Sequence, residues 1–470
     1  MVQGVNPTIF RAYDIRGFVG SDLTEESLRT LGQAAGTLFR SRGAQRLVIG
    51  RDARLSSPLF QAAFIAGLRK TGCDVIDIGQ VPTPLMYFAV EYLRADGGAV
   101  ISASHNPPEY NGLKLRWAHP IFGSAAFTSS TIQEMAWLAN SGKFAQGCGT
   151  LFQAEVATAY GQSVSNILKL PPTLARPPRV VIDGGNGVAG PLAVQTLTAL
   201  GAEVIPLYIE PDGHFPHHHP DPLKAKNLTA LQQMVCAHKA DLGLALDGDG
   251  DRLGVVDETG AIVWADRYLI VLAQYLLAQR PGPVVFDVMC STVLADAIRS
   301  FGGTPLMAKT GYASILAKMR ETNAILGGEL SGHTFATYPG HYFDDATFAG
   351  AQLLCALCRL DGQRLLPLSE ALKDYPALAS LDQERIRFTD TVKFRVIDYV
   401  RQHFAGRYPL IEVDGVRVDF GDGWGIIRAS NTEPVITTRF EAQTQARVEE
   451  IRTLMLGVVE EFRRSNGLSE

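Results

Sequence analysis

The chain has 470 residues, 46% of them hydrophobic and 19% charged, with a formal net charge of −5. That balance is ordinary for a globular protein of several domains. It excludes a general nucleic-acid or membrane-surface binder, which needs a basic face to displace counterions, so an anionic ligand has to be gripped by a local cluster of cations.

The N-terminus has no charged segment followed by an apolar one. No run reaches the roughly 18 apolar residues of a membrane span, so a cytoplasmic location is expected. RLVIGRDAR (46–54) predicts a strand and a polar loop, followed by a helix to Gly72, a strand CDVIDIG, and then GGAVISASHNPPEYNG (97–112). The same order returns in RVVIDGGNG (179–187), a helix to Gly201, AEVIPLY and ADLGLALDGDGDR (240–252). It returns again in PVVFDVMCS (283–291), a helix to Gly303, TPLMAK and AILGGELSGH (324–333). Short apolar strands alternating with helices imply mixed or parallel sheets covered on both faces. The expected fold class is therefore α/β, with three tandem related domains with mixed sheets over residues 1–150, 151–256 and 257–370. After Ala371, ALAS, ERIRFTD, IEVDGVRVDF, GWGIIRAS and PVITTRFEA read as strands, and a last helix is expected near 444–465. That is a smaller α+β domain over 371–470.

Three loops, SASHNP, DGDGDR and GELSGH, leave the ends of corresponding strands, where α/β domains line their clefts, so tandem domains can aim them at a common site. In DGDGDR, Asp247, Asp249 and Asp251 alternate with glycines. Residues two apart in an extended chain project to one side, so the carboxylates can converge, and their repulsion calls for a hard divalent cation. An EF-hand needs glycine where Arg252 stands and helices where LGLAL and LGVVD read as strands. A solvated acidic turn does not explain the paired glycines and apolar flanks.

Ser102, Ser104 and His105 fall in SASHNPPEYNGLK (102–114), with Lys114 close behind. A Ser–His hydrolase is disfavoured, because neighbours in an extended loop point apart. A serine that carries phosphate gains three acceptor oxygens and about −1.5 to −2 charge, which a cation at the aspartates could hold. In GELSGH, Glu329, Ser331 and His333 alternate and offer the acceptors and donors that vicinal sugar hydroxyls want. RASNTEP (428–434) supplies Arg428, Ser430, Asn431 and Thr432, a donor set suited to a phosphate dianion.

Other motifs are read as structural. Gly185, Gly187 and Gly190 form GxGxxG after a strand, but Asp183 and an extra glycine intrude, and this repeat's chemistry sits on its third strand. His214 and the run His217–His219 lie in a proline-rich loop, and three consecutive histidines do not easily converge on one ion. Cys355 and Cys358 form a CxxC without a second pair, inside a stretch that reads as a buried helix.

Taken together, FRAYDIRG, SASHNP, DGDGDR, GELSGH and RASNTEP resemble the α-D-phosphohexomutase superfamily over the whole chain, in family order, and most of all its bacterial phosphomannomutase/phosphoglucomutase branch. The resemblance implies four domains around one central cleft and a phosphoserine at Ser104. It implies Mg2+ bound by Asp247, Asp249, Asp251 and the phosphate on Ser104. The implied activity interconverts hexose 1- and 6-phosphates of mannose or glucose through a hexose 1,6-bisphosphate that turns around in the cleft. By the same match, Lys114 and Arg252 are candidates for proton handling, and Arg16 and Tyr13 line the site, with His105 among the substrate contacts. A lysine base needs a lowered pKa, which neighbouring cations could provide, whereas arginine is the safer electrostatic stabiliser. Glu329 and Ser331 would contact sugar hydroxyls, with His333 beside them; the glucosamine-phosphate branch, the alternative substrate class, has glutamine where Leu330 stands. One departure is KTGY for the family's KTGH. Tyr312 can donate a hydrogen bond but does not share histidine's charge near neutral pH, while Lys309 still suits a phosphate or sugar. A metal-dependent phosphatase and a non-catalytic sugar-phosphate sensor are the alternatives from other classes.

Overall fold

The computed structural model describes residues 5–120, 123–338, 341–360, 364–430 and 434–468. In the first repeat Arg46–Arg51 pairs in parallel with Asp74–Gln80 on one side and Gly97–Ile101 on the other. Arg179–Asp183 pairs likewise with Glu203–Leu207 and Leu242–Leu246. Pro283–Asp287 pairs in the same way with Thr304–Ala308 and Leu326–Gly328. In each repeat a further strand then returns antiparallel: Tyr110–His119, Leu253–Asp257 and Thr334–Ala336. The three sheets are therefore mixed, as expected, and each special loop joins the third parallel strand to its antiparallel neighbour.

Parallel neighbours cannot be joined by a tight turn, so a crossover must lie between the second and third strands as well as between the first and second. The helices Thr83–Tyr92, Thr229–His238 and Tyr312–Thr322 fill that place. Two sheets run past their expected limits at 150 and 256. Leu151–Gln153 adds a parallel edge strand beside Asp74–Gln80, and Ile262–Val263 pairs with Leu253–Asp257. Ladder hydrogen bonds, rather than composition, set those ends.

The C-terminal sheet is built on the antiparallel pair Gly423–Ala429 and Val435–Ala442, backed by Gln445–Ser465. Between its strands lies a helix, Lys393–Phe404, that was not among the expected elements. KFRVIDYV is rich in β-branched residues, yet Val396, Ile397, Val400 and Phe404 are buried at helical spacing, and that periodicity overrides local propensity. This domain has its own core, whereas one continuous core joins the first three, from Val100 through Ile182 and Leu246 to Phe286. No helix among the described residues is long and apolar enough to cross a membrane.

Ala346–Leu360, which holds Cys355 and Cys358 as buried free thiols, packs on Ala265–Leu277 and reaches Gly190–Ala199, tying the second and third domains together. Asp345 caps its start, accepting the Phe348 N–H at 3.0 Å and the Tyr160 hydroxyl at 2.7 Å. Burial overcomes those bonds and pushes the carboxyl up to about 7. A raised folded-state pKa gives stability that is complete below the ordinary carboxylate range and is lost as pH climbs through about 7. Asp345→Asn keeps a capping oxygen and removes the titration. Denaturant unfolding at stepped pH should show the wild type losing up to about 4 kcal/mol more than the variant between pH 4 and 8. Parallel curves for the two proteins would refute the shift.

Candidate active site

The serine and aspartate loops meet backbone to backbone, and the sugar loop joins the aspartate loop through the Arg252–His333 bridge. A Cβ on Gly248 would lie 2.5 Å from the Ser104 carbonyl oxygen, and one on Gly187 would lie 2.9 Å from that of Gly248. The GxGxxG stretch is thus a rear support for the aspartate loop, needing glycine for close approach and not for a dinucleotide. The histidine run braces the same support: His218 Nε2 meets Asp183 at 2.9 Å and His217 Nδ1 meets Asn186 at 2.7 Å.

The aspartates converge, though not because the chain is extended. Asp247 Oδ1 accepts the backbone N–H groups of Gly250, Asp251 and Arg252 at 2.9, 3.0 and 3.2 Å, which closes a turn with Gly250 at φ +78°. Its other oxygen accepts the Ser104 hydroxyl at 2.7 Å. Asp249 Oδ2 accepts Thr83 Oγ1 at 2.5 Å, Lys114 Nζ at 2.7 Å and Ser102 Oγ at 3.1 Å. Lys114 also binds Asp251. Ligand atoms of the three carboxylates lie within 4.8 Å of one another, all buried. Asp249 Oδ1 has no hydrogen-bond partner, and Asp251 Oδ1 has only the His333 ring nitrogen at 3.4 Å. Burial, followed by Asp251 and Asp249, pushes the Asp247 carboxyl well above the ordinary range. Orphaned, mutually repelling hard oxygens fit a divalent cation with oxygen ligands.

Two expectations about neighbours need correction. Ser104 adopts φ +52°, a left-handed conformation costing an L-residue about 1–2 kcal/mol, and this folds its hydroxyl to 3.2 Å from His105 Nδ1. Adjacent side chains therefore do meet. The pair still lacks the geometry of a hydrolase, because the hydroxyl is donated to Asp247. Burial, reinforced by Arg252 and Arg16, also holds the imidazole well below its ordinary pKa. The second correction concerns Lys114, which faces carboxylates instead of cations. Burial opposes its ammonium, but Asp249 and Asp251 outweigh burial and hold it well above the ordinary range. A charged, stabilising group is what this environment provides.

Arg16 binds Asp14 at 2.8 Å and Asn106 at 2.5 Å, which places it beside the serine loop. Arg252 pairs in an isolated bridge with His333, linking the aspartate and sugar loops. His333 Nδ1 lies 2.7 Å from Ser331 Oγ and 3.1 Å from Glu329, with Nε2 3.4 Å from Asp251. Burial lowers its pKa, but Asp251 and Glu329 win and push it up to about 10. The alternate-residue expectation for Glu329, Ser331 and His333 thus holds as a cluster. Glu329 also accepts the Gly311 N–H, which ties it to the KTGY turn. Tyr312 is buried with its ring edge-on to Tyr13 at 4.8 Å, and burial holds its phenol well above the ordinary range. It packs at the seam between the first and third domains.

In the C-terminal domain Arg428 Nε binds Asp414 at 2.8 Å, and the same Asp414 oxygen accepts the Thr310 N–H at 3.1 Å. Lys309, exposed, precedes that contact. The Ser430 carbonyl accepts Lys393 Nζ at 2.6 Å. Asn431 and Thr432 lie outside the described residues. Sequence reasoning did not find Asp414, Thr83 or Arg54, whose roles depend on partners 104, 166 and some fifty residues away. No local pattern announces them.

The description phosphoglucomutase/phosphomannomutase applies to four successive family models on this chain. They are alpha/beta/alpha domain I over residues 7–137, domain II over 158–260, domain III over 264–378 and the C-terminal domain over 382–457. A phosphomannomutase/phosphoglucomutase of Pseudomonas aeruginosa is 41% identical over 449 residues, covering 95% of this chain and 94% of its own. A phosphoglucomutase of Neisseria gonorrhoeae is 39% identical and covers 98% of both. The crystal structure of a phosphoglucomutase/phosphomannomutase family protein from Burkholderia thailandensis superposes with a TM-score of 0.88 at 38% identity, covering 97% of this chain and 98% of that one. With all four domain models matched in order and relatives aligned over nearly its full length, the chain belongs to the phosphoglucomutase/phosphomannomutase family.

Proposed function

We propose that the protein interconverts hexose 1-phosphates and hexose 6-phosphates, with glucose and mannose first among the hexoses, through a phosphorylated Ser104 and a hexose 1,6-bisphosphate. The observation that carries this reading is a serine hydroxyl held 2.7 Å from one member of a buried aspartate trio. A phosphoryl group on Ser104 would lie among Asp247, Asp249 and Asp251, which would share Mg2+ with it. Bound there, the cation would neutralise charge on the phosphoryl oxygens.

In the forward half-reaction the bond from Ser104 Oγ to phosphorus breaks and one from the sugar oxygen to phosphorus forms, and the proton given up by the sugar hydroxyl ends on Ser104 Oγ, which returns as the free hydroxyl beside Asp247. In the second half the other phosphate of the bisphosphate returns to Ser104. Little covalent chemistry falls to the protein in such transfers, which depend on position and charge. Lys114, Arg252 and Arg16 bring fixed positive charge to the path of transfer, and His105 packs beside the serine. Glu329, Ser331 and His333 offer the sugar hydroxyls donors and acceptors, and Tyr13 borders them. Arg428, Ser430, Asn431, Thr432 and Lys309 would hold the phosphate that does not react. Tyr312, hidden behind Tyr13, would act on the substrate only through that neighbour.

The test is a coupled assay with glucose 1-phosphate and mannose 1-phosphate, each with catalytic hexose 1,6-bisphosphate and Mg2+. The 6-phosphate should form from at least one of them without accumulation of inorganic phosphate. Stoichiometric phosphate release would point to a phosphatase, and no turnover of either sugar would reject the assignment.

A further inference from the structure

Arg54 is fully buried, so it touches no substrate, yet every N–H of its guanidinium is engaged. Nε binds Asp52 at 3.1 Å, in the loop that follows the first strand. Nη2 donates to the carbonyls of Ser104 at 2.7 Å and Asn106 at 2.6 Å. Nη1 donates to those of Pro107 at 2.6 Å and Tyr110 at 3.0 Å. Four of the five donors thus hold one loop, the loop in which Ser104 sits at φ +52°. A side chain in a sparsely populated backbone region stays there only when its surroundings over-determine it. A charged donor set is well suited to that, since buried charge-assisted bonds are stronger than neutral ones.

The second domain closes on the same group. A Cβ on Gly213 would lie 2.6 Å from Ala53 O and from Leu55 N, and the Phe215 ring stands 5.4 Å from the Arg54 guanidinium carbon. Gly248 of the aspartate loop presses on the Ser104 carbonyl from the other side. Arg54 therefore fixes the serine loop in itself and in its register against the domain that carries the aspartates. Lysine cannot reproduce this, because its donors radiate from a single atom and cannot span carbonyls spread from residue 104 to residue 110.

We propose that Arg54 is a positioning residue for phosphoryl transfer, holding the Ser104 hydroxyl in line with the aspartate trio while taking no part in substrate binding. The proposal rests on Ser104 as the phosphoryl carrier. It predicts that Arg54→Lys lowers kcat about 10²-fold, with KM for hexose 1-phosphate changed by less than about threefold. The rate at which full-length enzyme takes up one phosphoryl mass from hexose 1,6-bisphosphate should fall by the same factor as kcat. A folded variant, with circular dichroism and melting temperature close to wild type, that keeps kcat or that loses affinity instead would overturn the proposal. Where Arg54→Lys does not fold, Asp52→Asn is read in its place. It leaves the guanidinium but weakens its anchor at Nε, and kcat should fall about tenfold at constant KM; no change there also overturns it. Uptake of the phosphoryl mass by Ser104→Ala would instead remove the shared premise that this serine is the carrier.

Discussion

Ser104→Ala should lose mutase activity by at least about 10⁴-fold, as expected when a group that forms the covalent intermediate is deleted. The loss should lie in kcat, because the residues proposed to contact the sugar and the distal phosphate reside on other domains. Two further readouts separate nucleophile from scaffold. Intact mass should show one phosphoryl group on wild-type protein after incubation with hexose 1,6-bisphosphate, and none on the variant. Melting temperature should barely move, since alanine keeps the backbone that Arg54 holds and removes one hydroxyl bonded to Asp247. Substantial turnover by the alanine variant would mean that another group carries the phosphate, and the family's chemistry would then have to run here through a different side chain.

Much of this arrangement could be read in the sequence, for physical reasons that can be named. Strands and loops in a repeated order are local signals, so the three mixed sheets and their corresponding loops were foreseeable. The convergence of Asp247, Asp249 and Asp251 was foreseeable too, although the cause proved different. An extended strand would have served, but the chain turns, and three backbone amides wrap one carboxylate oxygen. Residue spacing alone cannot distinguish those two routes. The meeting of Ser104 with His105 escaped for a related reason, because a left-handed φ at a non-glycine residue reverses the rule that neighbours point apart.

Long-range polar partners were not legible at all. Thr83 starts a helix in a proline-rich turn, Asp414 lies in a C-terminal hairpin, and Arg54 follows an ordinary strand. Each matters through a contact with a distant loop: Asp249, the Thr310–Arg428 junction, and the carbonyls around Ser104. The environment of Lys114 shows the same limit. In the strand Tyr110–His119 Lys114 is buried, and the carboxylates that face it come from another domain, which no reading of its own segment could supply. A pKa depends on such partners, so its direction had to wait for coordinates.

Asp247→Asn should give opposite results for stability and for activity. Without divalent ions the wild-type site crowds three buried carboxylates together, two of them on the Lys114 ammonium, and the Asp247 carboxyl is held well above its ordinary pKa. A raised folded-state pKa makes the ionised form a burden to the fold above the ordinary carboxylate range, so at pH 7.5 an uncharged amide should relieve it. The asparagine oxygen can still accept the three turn amides while its NH2 faces Ser104, so the loop is preserved. The metal-free variant should therefore melt at a higher temperature than metal-free wild type. Addition of Mg2+ should reverse the order, because a ligand that binds only the folded state adds about 2.7 kcal/mol at a hundred times its dissociation constant, and the variant has lost a charged ligand. Mutase activity should fall by about 10³-fold, with the concentration of Mg2+ giving half-maximal rate rising in step. A purely structural acidic cluster would behave differently: Mg2+ would leave both melting curves where they were, and activity would be indifferent to chelation. That pattern would remove the cation from the site and with it the electrostatic basis for transfer from Ser104. A gain in stability of the metal-free asparagine variant would mark Asp247 as a carboxylate whose charge serves something other than the fold.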